Sequence, residues 1–335
     1  MSNLILHVGH PKTGTSYLQS LIALNEQTLK KHNIYYPFYE SYFLAKKGKP
    51  TSGNGEIFKK FDFKSKYDQT ILFSSEDLFR ILEWKHFYEI AENYSQNLKI
   101  ILYTRNLFDY TFSSWGQKVK RAGEIRDLNA YLLDVFSEAE PNIKIRPYEN
   151  ILKWLDISKK YGFKIIIRNY SNNRENLDKI FFQDILNINK IDFNLVQPQI
   201  KNINRSLTIA EYNLQRVFNS IDGKISSIYI SDELIYRLPN IKIQSLKCSE
   251  EAYNVVVEKS FSTIEKINNY LNISDKIKIE KPDEVVSNAN QGDFQGLSLN
   301  QIEVIAAGLK KRDSFKFKTK LYLSLIFQRF KSIIK

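Results

Sequence analysis

The chain has 335 residues, 43% of them hydrophobic, and 49 lysines and arginines against 37 acidic residues for a formal net charge of +12. That length and apolar content build one sizeable core, or one domain plus an extension, and exclude a wholly disordered chain. The single cysteine, Cys248, excludes an intramolecular disulfide and a cysteine-based zinc site, and no apolar run approaches the ~20 residues of a membrane span. A basic surface suits an anionic ligand, an acidic glycan, a membrane face or nucleic acid. Richness in Lys, Asn and Ile is also what AT-rich codons produce, which weakens the charge argument, and no nucleic-acid partner is expected. The first strand follows Met1 almost at once, with no basic segment or cleavage site before it, so a cytoplasmic location is expected.

In chain order the pattern predicts a strand over 3–8, a glycine-bearing loop over 9–15 and a helix over 16–31. A short strand near Ile34–Tyr36 and a polar insertion over 46–55 come next. Strand 70–74, helices over 75–95, strand 98–104, helix 107–122 and a further helix near 127–138 follow. A helix from Tyr148 to about Gly162, strand 163–168 and helix 173–187 complete the alternation, which implies a parallel sheet with helical crossovers. Beyond residue 200 helical patterns span 207–221 and 248–271. Residues 276–297 are polar, carry Pro282, Gly292 and Gly296, and read as a linker before a helix over 297–311.

The strand, loop and helix at the start place backbone N–H groups and a helix N-terminus where they can hold an anion. Gly9 and Gly14 have the spacing of an ATP-binding Walker loop, and Ser16 stands at the position of its metal-binding hydroxyl. Thr15, however, occupies the lysine position, and the nearby lysine is Lys12, inside the loop. Two apolar strands end in arginine, at Arg105 and Arg168, which suits an anion and not Mg²⁺. Arg105 closes strand 98–104 at a carboxyl end, where open α/β sheets collect ligands. Ser113 lies eight residues on, in the next helix. A guanidinium suits a phosphate monoester because its planar fork binds two oxygens at once.

The run Pro11-Lys12-Thr13-Gly14-Thr15-Ser16 resembles the 5′-phosphosulfate loop, P-K-[TS]-G-T-[TS], of sulfotransferases that use PAPS (3′-phosphoadenosine 5′-phosphosulfate). Arg105 with Ser113 is similar to that family's 3′-phosphate motif, and the helix onward through Trp115, Gln117 and Lys120 to Gly123 is similar to a bacterial, carbohydrate-type branch. Trp115 stands there where tyrosine is expected. The resemblance covers roughly residues 1–220. It implies an α/β, P-loop-like three-layer fold with a central parallel sheet and a helical C-terminal extension. It also implies PAPS as sulfuryl donor, released as PAP, with no metal, and a carbohydrate or glycolipid acceptor. The donor-binding residues would be Pro11, Lys12, Thr13, Gly14, Thr15, Ser16, Arg105 and Ser113.

For catalysis, Lys12 would stabilise charge on the leaving phosphate, and Glu76, after strand 70–74, would take the acceptor proton. His10 is the other candidate base. Glu76 also fits a plain helix start, with Ser74 and Asp77 in a capping-box-like arrangement. His7, within the first strand, reads as a packed histidine. The stretch Asn202–Leu207, with Arg205 and Ser206, is a third candidate or a helix cap at Ser206. The expected organisation is a catalytic domain over 1–275, a linker over 276–297 and an extension over 298–335. From Ser314 that extension has six basic residues, no acidic one and an apolar helical face, which suits an anionic membrane surface or docking on protein. Two other readings fit less of the pattern: an atypical ATP-dependent kinase, and a non-catalytic membrane-associated anion-binding protein.

Overall fold

A computed structural model describes residues 3–10, 12–40, 42–49, 51–63, 68–137, 147–188, 194–198, 205–241, 246–279 and 296–313. Pro11, residues 280–295 of the expected linker, 202–204 and the basic segment 314–335 lie outside the described residues.

Five strands carry the fold: β1 (Leu4–Val8), β2 (Ile34–Tyr35), β3 (Thr70–Ser75), β4 (Leu98–Thr104) and β5 (Lys164–Asn169). They form one all-parallel sheet in the order β2-β3-β1-β4-β5. Parallel neighbours need crossovers longer than a hairpin. After β1 come α1 (Thr15–Leu24) and α2 (Glu26–Lys31), and after β2 come α3 (Tyr42–Lys46) and α4 (Gly55–Lys60). A 3₁₀ helix over Asp77–Glu83 and α5 (Lys85–Asn93) follow β3. Next to β4 in sequence are α6 (Leu107–Ala122), α7 (Leu128–Ser137) and α8 (Tyr148–Tyr161), and β5 leads into α9 (Tyr170–Asn173) and α10 (Leu177–Leu186). The remainder is helical: α11 (Ile209–Asp222), α12 (Lys224–Arg237), α13 (Glu250–Asn268) and α14 (Leu299–Asp313).

All five residues of β1 are buried. Successive strand side chains point to opposite faces, so both faces of the sheet are covered. On one face Ile5, Leu72, Ile101 and Tyr103 pack with Leu18, Leu21 and Ile22 of α1 and with Phe181 and Phe182 of α10. On the other, Phe73 meets Phe58 of α4, ring centroids 5.0 Å apart. His7 belongs to the first face. Its Nδ1 lies 2.8 Å from Ser74 Oγ, its ring meets Phe181 edge-on at 4.8 Å, and burial pulls its pKa down to about 3.

The α/β class is the one the alternation implies, with local differences. The helix expected over 16–31 breaks at Asn25, whose side chain donates to Leu21 O and Val196 O and accepts from Val196 N–H. The polar insertion over 46–55 touches two short helices, α3 and α4, and α12 was not anticipated. Residues 276–278, expected in the linker, are tied down instead. Ile277 is buried and exchanges both backbone bonds with the Asn268 side chain, and Lys278 O accepts from Leu107 N–H.

The chain divides into two compact units, the first of residues 1–114, 132–203 and 251–281, the second of 115–131, 204–250 and 282–335. The first holds the sheet. The second is built on a buried ion pair. Arg205 donates to the Glu211 carboxylate from Nη1 at 2.8 Å and Nη2 at 3.0 Å, and also to the carbonyls of Ser206, Leu234 and Leu238. Glu211 closes a capping box with Thr208 at the start of α11 and accepts from Gln301 Nε2. The cap is therefore Thr208 and not Ser206, and Arg205 is spent on structure.

Candidate functional site

The sheet order sets where a ligand can sit. From central β1 the chain moves to one side for β2 and β3, then crosses to the other for β4 and β5. Open α/β sheets bind ligands at the carboxyl ends of the strands where the order reverses, a point that falls beside β1 in this sheet. Register fixes what lines it. Val8 pairs with Ser75 of β3 and with Leu102 of β4. The loop after β1 therefore runs beside Glu76, while β4 reaches two residues further before Arg105.

Loop residues hold an unusual shape. Gly9 N–H donates to Ser75 O at 3.0 Å, and Thr13 Oγ1 donates to His10 O at 2.7 Å, closing the turn. Lys12 takes φ 70°, a left-handed conformation that costs a non-glycine residue roughly 1–2 kcal/mol and that tends to be kept where function needs it. Gly14 follows at φ 77° and heads α1. No side chain caps that helix, and no acidic residue occupies its first turn, which includes Thr15 and Ser16. The first N–H groups of α1 thus keep their capacity for an anion.

Arg105 brings the second motif to the first. Its Nη1 donates to Lys12 O at 2.9 Å across 93 positions of sequence. Its guanidinium lies 5.4 Å from the Tyr170 ring centroid, and Tyr148 Oη donates to Arg105 O at 2.9 Å. Burial holds the Arg105 pKa below its usual value, a cost that Tyr170 and Asp109 partly offset. Arg105 Nε is buried with no hydrogen-bond partner among the described residues. A desolvated cation with a spare donor beside an uncapped helix N-terminus fits a phosphate or sulfate group.

Glu76 sits beside this cation cluster. Burial by its surroundings raises its carboxyl pKa, Lys12 pulls it down, Asp77 raises it and Thr15 lowers it. The side chain is crowded yet keeps an open surface, so the net shift is upward but tempered by solvent. Its place at a helix start is real too, but Ser75 rather than Ser74 caps Asp77 N–H, because Ser74 is engaged with His7.

His10 lies elsewhere in kind. It is fully buried, its ring enclosed by Phe79 at 5.2 Å and Tyr110 at 4.7 Å, with Tyr148 beyond. A base must face its acceptor, and this imidazole faces the core. Ser113 stands half-buried on α6, about two turns in. The structure thus brings together Lys12, Thr13, Gly14, Thr15, Ser16, Glu76 and Arg105, with His10 beneath them.

The sequence assigns no role to two further residues of the site: Tyr148, which stays undecided in the stretch before β5, and Tyr170, which nothing singles out. Tyr170 packs against Gly14, where an added Cβ would meet its Cε2 at 2.9 Å, and against Arg105. Tyr148 holds the Arg105 backbone. The one available signal was Tyr170's position immediately after β5, at another carboxyl end. The chain matches no protein-family model and no curated protein.

Proposed function

We propose that this chain is a PAPS-dependent sulfotransferase with a P-loop-like nucleotide fold, acting on a hydroxyl of a carbohydrate or glycolipid. The observation that supports this most is the contact of Arg105 with the Lys12 carbonyl, which joins two motifs that each suit one end of a 3′-phosphorylated nucleotide. PAPS, when bound, supplies an activated sulfuryl group on a phosphate leaving group. Arg105, with its spare Nε donor, holds a phosphate monoester, and the uncapped N–H groups of α1 hold the phosphosulfate end. Lys12 offsets negative charge that builds on the phosphate oxygen. Glu76 takes the proton of the attacking hydroxyl, and a raised pKa makes it a better acceptor at neutral pH. His10 supports the loop from below. These roles need no metal ion.

Calorimetry with PAP, ADP and ATP tests the reading. PAP should bind tightly without Mg²⁺ and ADP much more weakly. Arg105→Ala should remove most of that preference, since charge-assisted hydrogen bonds contribute about 1.5–3 kcal/mol each. Mg²⁺-dependent ATP binding with no preference for PAP would point to a kinase instead. Absence of any nucleotide binding would leave only an anion-binding protein.

A further inference from the structure

The segment between β2 and β3 carries a surface feature that the donor site does not use. Phe38 is 50% exposed, Phe43 68% and Leu44 43%. They are not scattered. Tyr42 is buried and forms their hub, with Phe38 edge-on at 4.6 Å, Phe43 at 5.7 Å and Lys46 Nζ 5.0 Å from its ring centroid. The hub is anchored from α1 and α2, since Tyr42 Oη donates to Glu26 Oε2 at 2.6 Å and lies 3.2 Å from Ala23 O. Anchoring one aromatic while its neighbours stand in water costs free energy unless something covers them.

The charges beside the patch say what covers it. Lys46, Lys47 and Lys49 are exposed. Lys46 is partly answered by Glu26 at 3.6 Å, but among the described residues neither Lys47 nor Lys49 has an ion-pair partner. Two phenylalanines and a leucine rimmed by lysines have the composition of a surface that dips into the headgroup region of an anionic bilayer. A protein partner would need matching carboxylates at each lysine, whereas a lipid surface supplies phosphates wherever the lysines fall.

We propose that Phe38, Phe43 and Leu44, with Lys46, Lys47 and Lys49, form a membrane-docking patch for anionic lipid. Its place in the fold gives it a use. The segment leaves the sheet at the carboxyl end of β2, and before the chain enters β3 at Thr70 it passes the carboxyl end of that strand. There Ser74 N–H donates to Asn54 Oδ1 at 2.7 Å and Ser75 Oγ donates to Ser52 O at 2.6 Å, one residue before Glu76. Docking through this segment brings the edge that holds Lys12, Glu76 and Arg105 to lipid headgroups. The patch stands whether or not the donor is PAPS.

The test is sedimentation of the full chain with vesicles of phosphatidylcholine alone and of phosphatidylcholine mixed with phosphatidylglycerol. The wild type should pellet with the mixed vesicles, and less at high salt. Phe43→Ser with Leu44→Ser should lower the partition coefficient by roughly tenfold or more. Lys47→Glu with Lys49→Glu should lower it by about twentyfold or more, at low salt only. All four side chains are exposed, so unchanged melting curves show that the variants fold. A wild type that stays in solution with both vesicles overturns the proposal. So does a Phe43/Leu44 variant that pellets like the wild type, which would move membrane binding to another segment such as 314–335. A wild-type dimer in sedimentation velocity that the same variant turns into monomer also overturns it, by assigning the patch to a second copy.

Discussion

Gly14 and Gly48 form a matched pair that isolates what holds the loop. Both have left-handed backbones, φ 77° and 69°. Alanine at either position forces an L-residue into that region, at about 1–2 kcal/mol. The surroundings differ. Nothing lies within 4 Å of a Cβ at Gly48, whereas one at Gly14 would meet Tyr170 Cε2 at 2.9 Å and Leu177 Cδ2 at 3.1 Å. Carbons in contact prefer about 3.5–4.0 Å, so Tyr170 must give way by roughly half an ångström or more. Overpacking of this sort adds about 1–3 kcal/mol. Gly14→Ala should therefore cost about 2–5 kcal/mol and Gly48→Ala about 1–2, a gap visible in melting curves. Tyr170 also packs on the Arg105 guanidinium, so its displacement carries to the anion site. PAP affinity measured by calorimetry should fall at least tenfold for Gly14→Ala and stay unchanged for Gly48→Ala. Equal loss of stability in the two variants would refute the packing argument. A destabilised Gly14→Ala protein with wild-type PAP affinity would refute the link from Tyr170 to Arg105.

Glu211→Gln should destabilise the second unit by about 3–5 kcal/mol in denaturant unfolding, because Arg205 would keep a buried charge without its counter-ion. His7 is neutral in the fold, with a pKa of about 3, yet protonates near 6.5 once unfolded. Its contribution is whole above that pH and should erode by about 1.4 kcal/mol per pH unit as acid is added, down to about pH 3. His7→Asn should remove that slope, and a slope left intact counts against it. Glu76 has the opposite sign. A raised carboxyl pKa means that the folded chain binds the proton more tightly, so stability falls as pH rises through the interval above the ordinary value. Glu76→Gln should then be more stable than wild type at neutral pH and no different in acid, while sulfuryl transfer drops by about 10²–10⁴-fold. A variant that gains no stability at neutral pH would refute the crowding of this carboxylate.

What the sequence made legible follows from what is local. The strands β1, β3, β4 and β5 are short apolar runs with turn residues after them, and the sheet class comes from their alternation with helical stretches. The break at Asn25 was not legible, because the apolar pattern runs on through it and the residue that enforces it is Val196, far along the chain. The helices α3 and α4 lie in or beside a polar stretch and owe their positions to distant anchors, Glu26 for Tyr42 and Ser74 for Asn54. In α12, Lys-Ile-Ser-Ser-Ile-Tyr-Ile-Ser reads as readily as a strand, and packing with α11 and α14 decides for a helix. At the candidate site, Lys12, Glu76 and Arg105 stand out in sequence because phosphate chemistry restricts which residue types can serve. Tyr170 did not, and the role of Tyr148 stayed undecided, since a tyrosine that props an arginine looks in sequence like any other core aromatic.

The long motif from Arg105 to Gly123 carries two different kinds of information. Arg105 belongs to the anion site by its contacts. The later residues are explained by packing within the second unit. Trp115 Nε1 donates to Arg126 O at 3.2 Å, and its ring lies 4.9 Å from that of Tyr212. A Cβ at Gly116 would collide with Tyr212 Oη, and one at Gly123 would fall 2.8 Å from Lys224 N. Lys120 Nζ donates to Arg205 O at 3.1 Å. A protein with this helical arrangement would need such residues whatever reaction it ran, so their likeness to a carbohydrate-type branch bears on architecture. The chemical argument narrows to Lys12, Glu76 and Arg105 with the N-terminus of α1. Of these, only Arg105 would, under the proposed function, distinguish a nucleotide with a 3′-phosphate from one without, and PAP measured against ADP therefore decides more than any assay with a guessed acceptor.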